Sequence, residues 1–190
     1  MVTLNRIYTR TGDAGKTRLA TGEAISKSDH RVEAYGAVDE TNACLGLARV
    51  HLAGAPLDAP LARIQNELFD LGADLATPLR ADDDPATVLR ILDSQVARLE
   101  TEIDALNANL PPLASFVLPG GTPASAALHL ARTVCRRAER DTVRMLEAGQ
   151  PVSGPALHYL NRLSDFLFVA ARVANDLGAA DVVWRAGATR

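Results

Sequence analysis

Aromatic residues are scarce in this 190-residue sequence: four Phe, three Tyr and one Trp make up 4% of it. That scarcity argues against a sandwich or barrel built on Val, Tyr and Trp, and the abundance of Ala and Leu points to helices packed closely through small aliphatic side chains. Cysteine is almost missing, and Cys44 and Cys135 form no C-x-x-C pair. A disulfide framework is thereby excluded, and both thiols are expected to be buried and reduced. No apolar run is longer than Phe166 to Ala171, far short of the roughly 18 residues a membrane span requires. Residues Met1 to Arg10 lack the apolar core of a secretory signal and the Arg- and Ser-rich character of a transit peptide, so a cytoplasmic location and no membrane partner are expected. An excess of basic charge is missing as well, since 20 Lys and Arg stand against 23 Asp and Glu for a net charge of -3. A surface devoted to nucleic acid is disfavoured. With 47% hydrophobic and 23% charged residues, the composition fits one ordinary globular domain.

Several catalytic patterns are missing too. None of the glutamates is followed three residues later by His, which a di-iron carboxylate bundle would require. The four histidines, His30, His51, His129 and His158, show no H-x-x-x-H or H-E-x-x-H spacing, and there is no G-x-S-x-G elbow. Any reaction is therefore expected to proceed without a nucleophilic side chain of the protein.

What is present is helical period. After residues 1–28, which show neither helical nor strand period, Val32, Tyr35, Val38, Asn42, Leu45 and Leu52 mark a first helix from about 30 to 53, closed by Gly54-Ala55-Pro56. Leu61, Ile64, Leu68, Leu71 and Leu75 mark a second, stopped by Pro78, with Arg63, Glu67, Asp70 and Asp74 on the opposite face. In the turn Asp82-Asp83-Asp84-Pro85, Asp84 can cap and Pro85 can take the first position of a third helix. Its seam would be Val88, Leu92, Val96, Leu99, Ile103, Leu106 and Leu110. Thr122-Pro123 opens a fourth, with Leu128, Ala131, Cys135, Ala138, Thr142 and Met145 on its seam, ending at Gly149. Gly154-Pro155 opens a fifth through Leu160, Leu163, Leu167, Ala170 and Ala174 to Leu177-Gly178. Each pattern covers about 20 residues, hence roughly 30 Å of helix. Five such segments predict an all-α, up-and-down five-helix bundle.

Three stretches stand out from that scaffold. The segment Pro111 to Gly121 is too rich in Pro for a helix and too apolar for an ordinary linker. Its Phe116 to Leu118 either dock a partner or cover the end of the bundle. The fourth helix carries Arg132, Arg136, Arg140 and Arg144 at i+4 spacing with Arg137 beside them. Such a column suits phosphate, whose oxygens match the guanidinium fork, or is a solvated face paired with acids on adjacent helices such as Asp70 and Asp74. In Tyr8 to Thr17, Gly15-Lys16-Thr17 matches the end of a Walker A loop, but the glycine required five positions earlier is Arg10. A backbone approach to phosphate through its glycines remains open beside an ordinary glycine turn.

These stretches carry a resemblance spanning essentially the whole chain. Tyr8 to Thr17, Arg31 to Glu40, Phe116 to Gly121, Leu128 to Arg140 and Tyr159 to Asp165 follow in order with appropriate separations, and together they resemble the PduO-type ATP:cob(I)alamin adenosyltransferases. Arg10 stands where lysine is common in that family, and Thr41 where leucine is common. The resemblance implies a single domain over 1–190, with an ATP-binding segment at 1–28, a helical bundle at 29–178 and a C-terminal tail at 179–190. It implies a homotrimer with active sites between subunits, taking ATP, Mg2+ and a corrinoid that passes from cob(II)alamin to cob(I)alamin. ATP would be held by Thr9, Arg10, Thr11, Gly12, Gly15, Lys16, Thr17 and Lys27 of one subunit and by Arg136, Arg137, Glu139, Arg140 and Asn161 of its neighbour. Arg132 would pair with Asp39 across the interface, and both would serve catalysis and cobalamin binding. Phe116 would lie beneath the corrin ring and favour a four-coordinate cob(II)alamin that is easier to reduce.

The implied reaction transfers the 5'-deoxyadenosyl group of ATP to cob(I)alamin, giving adenosylcobalamin and triphosphate. Reduced cobalt is itself a strong nucleophile, in agreement with the missing catalytic Ser, Cys or His. A reductase and an adenosylcobalamin-dependent acceptor enzyme are the implied protein partners. Two other readings compete: a nucleotide sensor on the same bundle, which would need no apolar corrin platform, and a nucleic-acid-binding bundle, against which the net charge speaks.

Overall fold

Side-chain caps start two of the helices where the sequence places them. Asp29 accepts a hydrogen bond from the Arg31 amide at 2.9 Å, and Thr122 Oγ1 accepts one from the Ser125 amide at 3.1 Å with Pro123 next in line. The computed structural model describes residues 7–84 and 87–190. Its elements are β1 (Lys16–Arg18), β2 (Ala24–Ser26), α1 (His30–Val50), α2 (Asp58–Ala76), α3 (Asp93–Asn107), α4 (Pro123–Glu147) and α5 (Gly154–Val173). Helix α4 packs against α1 on one side and α5 on the other, while α2 lies on α1 and α3 on α5. The predicted up-and-down five-helix bundle is what forms.

The core is made of the predicted seams. Leu128, Ala131, Cys135, Ala138, Thr142 and Met145 of α4 are all fully buried, as are Leu160, Leu163, Leu167 and Ala170 of α5 and Leu61, Ile64 and Leu71 of α2. Small residues on α4 let both neighbours approach, so the long arginine-bearing helix sits at the centre of the fold with its polar face turned out. Cys135 is buried, with Sγ 3.3 Å from the Leu160 carbonyl oxygen, and burial pushes its thiol pKa far up. Cys44 is only half-buried.

Five expectations need correction. The first residues do contain strands: β1 and β2 pair antiparallel in the register Lys16 to Ser26, Thr17 to Ile25 and Arg18 to Ala24, each too short to show alternation. The third helix starts at Asp93, not near residue 85, and has 15 residues. Pro85 lies outside the described residues. Its predecessor segment is held off the helix because Arg90 donates to the Asp74, Thr77 and Pro78 carbonyls and to the Asp74 and Asp83 carboxylates, while the Ile91 amide donates to Asp74 Oδ2 at 2.9 Å. Leu92, predicted to lie on the seam, is exposed.

Glu67 and Asp74 are buried rather than facing solvent. Glu67 accepts from Tyr159 Oη at 2.8 Å and from Arg98 at 2.9 Å, joining α2, α3 and α5. Burying a carboxylate demands such partners. The fifth helix ends at Val173, four residues early, and a turn with Asp176, Leu177 and Gly178 at positive φ follows it.

Candidate functional site

The N-terminal segment folds as a glycine-shaped basic cleft. Arg10 and Gly15 adopt positive φ of 62° and 75°, and the Gly15 carbonyl accepts from the Lys27 amide at 2.9 Å, which brings Lys27 back over the loop. A Cβ on Gly12 would stand 3.2 Å from Lys27 Nζ and 3.3 Å from the Lys16 carbonyl oxygen, so this close approach favours glycine. The result is a cleft of about 530 Å3 lined by Thr9, Thr11, Gly12, Lys16, Thr17, Arg18, Ala24 and Lys27. Cations and hydroxyls converge there as a polyanion requires. Thr9 and Thr11 share a hydroxyl hydrogen bond of 2.8 Å, and the Arg10 guanidinium stands 5.7 Å from the centre of the Tyr8 ring, outside the cleft lining. Arg18 was missed from sequence. It sits two residues beyond Lys16 on one strand, the spacing that puts both on one face.

On α4 the arginines divide into two sets. Arg137 pairs with Glu40 of α1 and lies 3.7 Å from Asp141, and Arg144 also pairs with Asp141, so these two are engaged within the chain. Neither uses Asp70 or Asp74. Arg132, Arg136 and Arg140 form no ion pair among the described residues, although Arg140 donates to the Arg136 carbonyl at 2.9 Å. Glu139 accepts from Asn161 Nδ2 at 2.8 Å, bringing two predicted site residues from α4 and α5 together beside that unpaired set. Among the described residues, no hydrogen bond or ion pair joins residues 7–28 to Arg132, Arg136, Arg137, Arg140 or Arg144. One chain thus carries two cationic surfaces that no hydrogen bond or ion pair joins among the described residues.

In the segment Pro111 to Gly121, Phe116 is 77% exposed and does not cover the end of the bundle. It forms one side of a cleft of about 600 Å3 with Leu113, Ala114, Ser115, Val117, Arg132, Phe168 and Trp184. Phe116 and Trp184 rings lie 6.0 Å apart, tilted by 56°. Phe168 and Trp184 were not singled out from sequence: Phe168 is in the apolar run of α5, and Trp184 is the one tryptophan, in the stretch read as a tail. Arg132 is the single cation of this apolar cleft, its Nε lacks a hydrogen-bond partner, and burial together with neighbouring Arg136 lowers its pKa. Behind Phe168 lies His129, 1% exposed, with neither ring nitrogen hydrogen-bonded and its pKa lowered by burial and then by Arg132.

Asp39 is on the exposed side of α1, lining a shallow groove with Phe69, which is 71% exposed. It makes no hydrogen bond or ion pair with Arg132 in the chain. The described residues contain no cluster of three His, Cys, Asp or Glu side chains able to hold a metal, and no helix is long and apolar enough to cross a membrane.

Comparison with known proteins gives this geometry a family. The family model for cobalamin adenosyltransferase matches residues 7–174. The corrinoid adenosyltransferase of Mycobacterium tuberculosis is 50% identical over 193 aligned positions, covering 100% of this chain and 97% of that protein. That of Bacillus subtilis is 45% identical, covering 90% and 86%. Among solved structures, a variant PduO-type ATP:corrinoid adenosyltransferase from Lactobacillus reuteri complexed with cobalamin and ATP superposes with a TM-score of 0.86 at 40% identity, covering 95% of this chain and 99% of that one. With a family model matched over residues 7–174 and relatives up to half identical along its length, the chain belongs to the cobalamin adenosyltransferase family.

Proposed function

We propose that this protein transfers the 5'-deoxyadenosyl group of ATP to cob(I)alamin, releasing triphosphate. The observation that carries the reading is the exposed Phe116, set beside Trp184 in an apolar cleft that Phe168 also lines and whose one cation is Arg132. A soluble nucleotide sensor has no use for such a platform, whereas a flat macrocycle does. In the transfer the cobalt electron pair forms a bond to C5' of ATP, the C5'–O bond breaks, and triphosphate leaves with that bond's electrons. No proton needs to move, so no side chain acts as a base. The protein aligns the two substrates and stabilises the departing charge.

ATP is held by Thr9, Arg10, Thr11, Gly12, Gly15, Lys16, Thr17 and Lys27 of one subunit and by Arg136, Arg140, Glu139 and Asn161 of the next, with the cations among them facing its triphosphate. Arg137 joins them on release from Glu40. The separation of the two cationic surfaces within a chain supports a shared site in a homotrimer, with Asp39 of one subunit meeting the unpaired Arg132 of another. Mg2+ enters with ATP as part of the substrate, because the cleft offers Thr hydroxyls but no acidic cluster, the arrangement that suits an ion carried mainly by phosphates and water. Residues 1–28 form the nucleotide segment, 29–178 the bundle, and 179–190 a C-terminal stretch that supplies Trp184. The Phe116 ring, filling the lower face of cobalt, keeps water away and favours a four-coordinate cob(II)alamin that a cytoplasmic reductase can reduce. An adenosylcobalamin-dependent enzyme receives the product.

The test is an anaerobic reaction of the purified protein with ATP, Mg2+ and chemically reduced cobalamin, following the visible spectrum and the released triphosphate. Adenosylcobalamin with equimolar triphosphate is expected. ATP binding without turnover would overturn the reading in favour of a sensor.

A further inference from the structure

The backbone on either side of Phe116 is held from one direction. The Trp184 amide donates to the Phe116 carbonyl at 2.8 Å, the Leu118 amide to the Val182 carbonyl at 2.7 Å, and Ser115 Oγ to the Trp184 carbonyl at 2.7 Å, around a bridge between Val117 and Val183. Every partner lies in residues 182–184. Their position is set by the residue just before them, Asp181, whose buried carboxylate accepts from Arg172 Nε at 2.8 Å and from Asn175 Nδ2 at 3.1 Å.

The same two partners hold both ends of the Phe116 loop. Arg172 Nη2 donates to the Pro111 carbonyl at 2.8 Å, where the loop begins. Asn175, fully buried, donates to the Gly120 carbonyl at 3.3 Å and accepts from the Thr122 amide at 3.0 Å, where it ends. The fit there is tight: a Cβ on Gly121, at φ of 94°, would lie 2.2 Å from Asn175 Oδ1. To return Asp181 to Arg172 the chain passes through Asp176 and Leu177 at φ of 53° and 50° and Gly178 at 86°. Left-handed backbone at two residues other than Gly is strain that surrounding contacts must impose, and such strain gathers at functional sites.

Stability alone does not account for the arrangement. A buried ion pair is often replaceable by apolar residues at no loss, and this end of the bundle already has the Thr122 cap. We infer that Arg172, Asp181 and Asn175 form a buried lock whose task is to position the Phe116 ring in the cleft, as positioning residues for corrinoid activation. The inference rests on the proposed role of Phe116. None of the three lies in the cleft lining or in the nucleotide segment.

The test is a double-mutant cycle between Asp181→Asn and Phe116→Ala, read as corrinoid kcat/KM, ATP dissociation constant and circular dichroism. With Phe116 present, Asp181→Asn is expected to lower corrinoid kcat/KM roughly ten- to hundredfold through misplacement of the ring. ATP affinity stays within about twofold, and in the Phe116→Ala background the same substitution changes turnover by less than about twofold, because coupled sites are not additive. An equal loss in both backgrounds, or no loss in either, overturns the lock and leaves the Phe116 reading intact. If Phe116→Ala alone leaves turnover and the bound cob(II)alamin spectrum unchanged, the Phe116 reading falls and takes the lock with it. Should Asp181→Asn not yield folded protein, Arg172→Lys, which keeps the charge but not both hydrogen bonds, enters the same cycle with the same outcomes.

Discussion

The Trp184 amide is hydrogen-bonded to the Phe116 carbonyl at 2.8 Å while the two rings stand 6.0 Å apart, so residues 68 positions apart in sequence are fixed to one another by main chain and share one cleft. Because the backbone sets the ring's height, a change of the side chain at 116 alters chemistry without moving the platform.

Phe116→His is therefore expected to impair activation of cob(II)alamin while leaving the nucleotide site alone. Imidazole is a potential axial ligand, and a five-coordinate cobalt is harder to reduce. The check is the spectrum of bound cob(II)alamin with ATP, beside an ATP titration. Equal loss of ATP affinity would remove Phe116 from the corrin face.

Arg136→Ala should weaken ATP binding by about 1.5–3 kcal/mol, the loss of one charge-assisted hydrogen bond. Arg136 is exposed and unpaired in the chain, so its removal breaks no ion pair and leaves the fold untouched. Calorimetric titration with MgATP measures the effect, and an unchanged affinity excludes Arg136 from the site.

Light scattering on the 20.2 kDa chain is expected to give three times that mass. Arg132 on α4 and Asp39 on α1 do not meet within one chain, and Phe69 beside Asp39 is widely exposed. Asp39→Asn should lower corrinoid turnover more than it lowers ATP affinity, since in the proposed shared site it withdraws the partner of the half-buried Arg132. A clear monomer with full turnover would refute the shared site.

The bundle was legible because its seams are local and periodic: Leu128 to Met145 and Leu160 to Ala170 state their burial in their spacing. The basic N-terminal cleft was legible as a cluster of glycines, hydroxyls and lysines within a few residues. The apolar cleft around Phe116 was only half legible. Phe116 stood out in a Pro-rich apolar stretch, but Phe168 sits in an apolar run that any core helix shows, and Trp184 reaches the cleft by a tertiary pairing that leaves no local pattern. Glu67 and Asp74 were misplaced for a related reason: a helical period assigns carboxylates to solvent and cannot register Tyr159 and Arg90, partners from distant segments that satisfy them when buried.

His129 gives the stability a pH dependence. Its pKa is lowered by burial and by Arg132, so the folded chain keeps the imidazole neutral where the unfolded chain, near the ordinary 6.5, takes up a proton. The contribution is present above about pH 6.5 and is lost as pH falls below it. His129→Leu, which removes two buried nitrogens without hydrogen-bond partners, should retain at pH 5.5 more of its pH 7.5 stability than the native chain does. Urea unfolding midpoints of both proteins at the two pH values decide it, and parallel losses would assign the acid sensitivity to other groups.

Arg90 decides where α3 begins. Its guanidinium binds the carbonyls of Asp74, Thr77 and Pro78 and two carboxylates, of which Asp74 is 3% exposed and accepts also from the Ile91 amide and from Ser153 Oγ at 3.0 Å. Continuing α3 back toward residue 85 would remove Arg90 from those acceptors and leave a buried carboxylate without a cation, which outweighs the few tenths of a kcal/mol per residue that helix propensity offers. Arg90→Ala is accordingly expected to destabilise the chain by about 3–5 kcal/mol. Much of that loss should be recovered in Arg90→Ala with Asp74→Asn, where no charge is left buried, although the two hydrogen bonds to Asp74 Oδ2 remain available to the amide oxygen. Denaturant unfolding of the two variants separates the possibilities. A loss below about 1 kcal/mol in the single variant, or no recovery in the double, would show that the carboxylate is not the group that Arg90 serves, and that the start of α3 is set by packing of Ile91 and Val96 instead.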